Sequence, residues 1–103
     1  MKYSLVLQLP ANDITDYDKL IEIEDALEKY LYGLANVDGH DCGSGEMNIF
    51  IFTDKPEETF EKAKFIIKAA GLLIELSAAY RLTTGEEYSR LWPVGSTEPF
   101  IVL

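Results

Sequence analysis

The apolar residues of this chain repeat first with the period of a strand and then with that of a helix, in the order strand, helix, strand, strand, helix, strand, and few folds accommodate that order. In "KYSLVLQLP", Tyr3, Leu5, Leu7 and Leu9 alternate with Ser4, Val6 and Gln8 before Pro10, as a half-buried strand does. Next, Leu20, Ile23, Leu27, Tyr30 and Leu34 recur at spacings of three and four and predict an amphipathic helix, with Thr15 or Asp16 as its cap and Gly33 at its end. Residues 35–42 and 46–53 read as strands joined by Gly43, Ser44 and Gly45. Asp54 and Glu57 then have the spacing of a capping box for a second helix, with Pro56 in its first turn and Phe60, Ala63, Ile67 and Ala70 as its buried stripe. Leu76, Ala78, Tyr80 and Leu82 alternate with Glu75, Ser77, Ala79 and Arg81 in a last strand.

The expected fold is therefore α+β: a ferredoxin-like β-α-β-β-α-β sandwich, with an antiparallel sheet carrying two helices on one face. A length of 103 residues suits one domain, with a core at 1–84 and an extension at 85–103. Tyr88, Leu91, Trp92, Phe100, Ile101 and Val102 make that extension too apolar for disorder. We expect a helical turn near 86–91, a loop through Pro93 and Gly95, and a short terminal strand at 99–103.

Loop length decides which hairpin residues share a face, because residues opposite each other in an antiparallel pair point the same way. A three-residue loop, Gly43 to Gly45, sets Cys42 opposite Glu46, His40 opposite Asn48 and Asp38 opposite Phe50. Val37, Met47, Ile49 and Ile51 would then face the helices, leaving Asp38, His40, Cys42, Glu46, Asn48, Phe50 and Phe52 on the open face of the sheet. Two phenylalanines there require cover, from the apolar tail, a second copy of the chain or a ligand, and the tail is the nearest candidate.

Candidate chemistry is sparse. Asp38, His40 and Glu46 are metal-ligand types on adjacent strands, but the chain has one histidine and no evident supporting shell, so we assign no metal. Cys42 and His40 lack a third orienting group, and "CGSG" leads into a strand where a phosphate loop would lead into a helix, so no catalytic residue is assigned. No cofactor is implied. Arg81 and Trp92, with Tyr80, Tyr88 and Arg90, are the residue types of binding hot spots.

Eighteen acids against nine bases give a formal charge of −9, which repels nucleic acid and anionic membranes and attracts a basic protein. No apolar run approaches the ~20 residues of a membrane span, the N-terminal residues read as a strand, and a single cysteine suits a reducing compartment, so a cytoplasmic location is expected.

At "VDGHDCGSGEMNIFIFTDKPEETF" and "EEYSRLWP" the chain resembles a family of small bacterial proteins of uncharacterised function, most specifically in the "GSGEMNIFIFTD" hairpin. The resemblance implies a bacterial, soluble, stand-alone domain and no particular activity. The expected function is that of a non-enzymatic acidic interaction protein, immunity-type or regulatory, which engages a protein partner or a second copy through its sheet face and tail. Its binding residues would be Asp38, His40, Glu46, Asn48, Phe50, Arg81 and Trp92. The competing expectation is a small enzyme or ligand sensor with a site at Asp38, His40, Glu46 and Asn48.

Overall fold

The computed structural model describes residues 1–102. Its elements are β1 (Tyr3–Pro10), α1 (Ile14–Tyr30), β2 (Ala35–Gly43), β3 (Glu46–Thr53), α2 (Pro56–Ala69), a 3-10 turn (Leu73–Glu75), β4 (Ser77–Leu82) and β5 (Ser89–Trp92). The strands form one antiparallel sheet in the order β2-β3-β1-β4-β5. This is an α+β architecture with a five-strand sheet and two helices, compatible with the ferredoxin-like class but with an additional strand beside β4. One core joins the helices to the sheet: Leu20, Ile23 and Leu27 of α1 and Phe60, Ala63 and Ile67 of α2 pack with Leu5, Leu7, Leu9, Met47, Ile49, Ile51 and Ala78.

Both helices start differently from expectation. Asp13 caps α1, its Oδ1 accepting from the Asp16 backbone N–H at 2.9 Å while Asp16 Oδ2 accepts from the N–H of Asn12 at 3.1 Å. Asp16 thus stands at the third helical position, reaching back to the residue before the cap, and is not itself the cap. At α2 the Asp54 carboxylate is drawn away from the helix, accepting from the Lys2 backbone N–H at 2.8 Å, and Lys55 occupies the cap position without a side-chain bond. Here the box expected of Asp54 and Glu57 does not form. Thr53 Oγ1 accepts from the Lys55 N–H at 3.0 Å instead.

The hairpin also departs from its expected register. Its loop is two residues, Ser44 and Gly45, with φ of 55° and 80°, the positive pair of a type I′ turn whose twist matches the flanking strands. Ala35, Asn36 and Val37 pair with Thr53, Phe52 and Ile51 as expected, but a bulge at Asp38 shifts the register, so that Gly39, His40, Asp41 and Cys42 face Phe50, Ile49, Asn48 and Met47. Gly39 takes φ of 148° there. His40 and Cys42 consequently lie on the helix side with Ile49 and Met47, a correction to their expected place on the open face.

The tail differs as well. No helical turn forms at 86–91; β5 pairs with β4 through Ala78–Trp92, Ala79–Arg90 and Tyr80–Ser89. The terminal strand expected at 99–103 is absent over residues 99–102, and Leu103 lies outside the described residues. Residues 98–101 cross the open sheet face, held by Gln8 Nε2 donating to the Ile101 carbonyl at 2.8 Å and Arg90 donating to that of Glu98 at 2.9 Å. These side-chain bonds take the place of a strand ladder. Among the described residues, no helix is long and apolar enough to cross a membrane.

Candidate functional site

The seven residues singled out in the sequence separate onto different surfaces. On the helix side of β2, His40 meets two residues of α1. Its Nδ1 lies 2.9 and 3.1 Å from the carboxylate oxygens of Glu24, and its Nε2 lies 3.1 Å from the hydroxyl of Tyr17. An ionised carboxylate only accepts, so Nδ1 carries a hydrogen; in the neutral ring, Nε2 then accepts from Tyr17. The side chains of His40 and Glu24 retain 25% and 12% of their exposure, so their contact is screened less than an open surface pair. A histidine oriented by a carboxylate and bonded to a hydroxyl can relay a proton, and with equal economy it can fasten an edge strand to a helix.

Neither Tyr17 nor Glu24 was indicated by the sequence. They lie on one flank of α1 with Leu20 and Leu27, at spacings of three and four, and only the bulge brings His40 to them. Cys42, exposed at the same edge, is not part of this contact; partial desolvation, then the negative charges of Asp41 and Glu24, push its thiol above the usual range.

Asn48 and Glu46 belong to the opposite face of the sheet. Gln8 Nε2 reaches Asn48 Oδ1 at 2.9 Å and Glu46 Oε1 at 3.3 Å, besides the Ile101 carbonyl. With two hydrogens for three acceptors, this amide joins β1, β3 and the tail into one network. Asn48 is buried and Phe50 half-buried. Asp38 is exposed at the bulge. The structure therefore brings Glu46 and Asn48 together but places His40 across the sheet from them, and Asp38 joins neither group.

Arg81 lies near the other edge, donating to the carbonyls of Leu82, Thr83 and Gly85 and standing 6.0 Å from the Tyr88 ring centroid. Tyr88 packs on Phe100, and Phe100 carries the Arg90 guanidinium at 5.5 Å. Two packed rings between two guanidinium groups thus fasten the tail. Trp92 points to the helix side, against Phe60 and with its Nε1 donating to the Leu73 carbonyl at 3.1 Å.

Charge is distributed unevenly. Residues 13–46 hold ten of the 18 acids and two of the nine bases, so this segment carries −8 of the formal −9. It comprises α1, β2 and the hairpin tip, where Asp18, Glu22, Asp25, Glu28, Asp38 and Asp41 are all exposed. β2 is an edge strand, and its bulge and acids are the devices by which edges avoid pairing with other strands.

No family model matches the chain, and no curated protein or solved structure does either.

Proposed function

We propose that this ferredoxin-like chain is a non-enzymatic interaction protein whose α1–β2 surface engages a basic protein segment. The observation that supports the reading is the concentration of −8 on residues 13–46, along one helix and the edge strand beside it. Such a surface accelerates the encounter with a cationic partner and repels polyanions, which makes nucleic acid and anionic membranes poor partners. An immunity-type protein that masks a basic toxin in the bacterial cytoplasm is one concrete form of this function. The sheet face and tail, also expected to take part, are bonded to each other through Gln8 and Arg90, so they would serve a partner only once the tail is displaced.

The test compares wild type with Asp25→Lys/Glu28→Lys/Asp38→Lys/Asp41→Lys as bait in extracts of the native host. A basic protein retained by wild type, released by salt and lost from the variant supports the reading. Equal capture by both, or capture by neither, contradicts it.

The carboxylate-oriented imidazole favours one second reading, a small enzyme or sensor centred on His40 with Glu24 and Tyr17 in place of Asp38, Glu46 and Asn48. It requires a ligand whose stabilisation of the fold disappears in His40→Gln.

A further inference from the structure

We propose that the groove between α2 and β5 binds the guanidinium of an arginine side chain carried by a protein or peptide. The groove has a volume of about 300 Å³ and is lined by apolar Phe60, Leu91, Trp92 and Val94, by Glu57, Glu58 and Glu61, and by Lys64. Phe60 and Trp92 stand 6.4 Å apart between centroids, and the Trp92 indole is held by its bond to the Leu73 carbonyl. Val94 is 82% exposed at the rim, where it can cover the methylenes of an entering side chain.

The chain itself shows which chemistry this groove receives. The ammonium of Lys64 stands 5.1 Å from the Trp92 centroid and 5.7 Å from that of Phe60, and 3.2 Å from a carboxylate oxygen of Glu61. One cation satisfies only part of the site. Glu58 has a 3.8 Å contact with exposed Lys55, and among the described residues Glu57 has no ion-pair partner. The groove thus keeps an excess of negative charge beside an aromatic wall. A guanidinium fits that excess better than a second ammonium does, being planar, less strongly hydrated, able to stack on indole and to meet two carboxylates at once. Lys64 would then leave the ring and move out into water.

This inference does not depend on the α1–β2 reading, because β5 and β2 form opposite edges of the sheet. Trp92 is the only tryptophan, so its fluorescence reports the groove directly. The probes are N-acetyl-arginine amide and N-acetyl-citrulline amide, which has a similar shape without the charge. The arginine compound should give a saturable change that the citrulline compound does not. Binding should tighten roughly two- to fivefold in Lys64→Ala and weaken by a similar factor in Glu57→Gln/Glu58→Gln. Circular dichroism confirms that each variant is folded, with Lys64→Gln replacing Lys64→Ala if needed. An equal response to the two compounds, or no saturable response in either wild type or the Lys64 variant, overturns the proposal.

Discussion

His40 Nδ1 lies 2.9 Å from Glu24 Oε1, and this contact ties the outermost strand of the sheet to the helix above it. β2 has a neighbour on one side only, so its upper half depends on β3 and on side chains reaching it from α1. His40→Ala removes the donor to a largely buried carboxylate. The expected loss is about 1–3 kcal/mol. Urea unfolding measures it, and amide exchange should accelerate most at residues 39–43. A destabilisation spread evenly over the sheet would show that the contact is not a local fastening.

The hairpin turn supplies an opposite pair of effects. Ser44 holds φ of 55°, a conformation that asparagine and glycine adopt more readily, and Gly45 follows in the glycine position of an Asn-Gly turn. Ser44→Asn should therefore raise the melting temperature. Gly39→Ala should lower it, at a cost of about 1–2 kcal/mol in stability, because φ of 148° strains any residue with a Cβ even though no neighbouring atom lies within 4 Å of the added methyl. Equal melting temperatures for Gly39→Ala and wild type would remove the bulge from the account of register.

That bulge marks where the sequence ceased to be readable. Val37, Met47, Ile49 and Ile51 had to share the helix face, and a three-residue loop without a bulge meets this demand as well as a two-residue loop with one. The two solutions agree at Ala35, Asn36 and Val37 and differ by one residue from Gly39 to the tip. Hydrophobic pattern cannot separate them, because the residues that change sides are Gly39, His40, Asp41 and Cys42. The site was lost with the register, since Tyr17 and Glu24 acquire a partner only when His40 turns toward α1. The helices were legible from apolar spacing, whereas the α2 cap was not, because nothing local reveals that Lys2 takes up Asp54.

At the start of α2, the buried hydroxyls of Thr53 and Thr59 are 2.7 Å apart. Thr53 Oγ1 also accepts from the Lys55 N–H, so it completes both the strand end and the uncapped helix start. Thr53→Val keeps the volume but leaves two polar groups without this partner. A loss of about 1–3 kcal/mol is expected in thermal unfolding. Thr53→Ser, which restores the hydroxyl, should recover part of it; no difference between the valine and serine variants would count against the hydrogen bonds.

On the other face, Val6 is fully buried although it points away from the helices, opposite Phe50 and Ala79. The tail segment that crosses this face is anchored by the Gln8 to Ile101 bond. Deleting residues 98–103 should increase binding of a hydrophobic dye and promote self-association, as expected of newly exposed apolar surface. Gln8→Ala should shift the protein part of the way. Unchanged dye binding in the deletion would mean that the tail does not seal this face.

Cys42 offers a prediction with a definite sign in pH. Its thiol is raised by partial desolvation, then by the charges of Asp41 and Glu24, so at neutral pH it holds less thiolate than an unperturbed cysteine. Alkylation of the native protein by iodoacetamide should be slower than that of a cysteine peptide, with a rate profile displaced to higher pH. Asp41→Asn removes one of the negative charges and should move the profile back toward the peptide. The unfolded chain releases this proton at lower pH than the native one, so the raised thiol lowers stability as pH climbs through the unfolded value and leaves it unaffected below. A native profile lying at or below that of the peptide would contradict the electrostatic account of this edge.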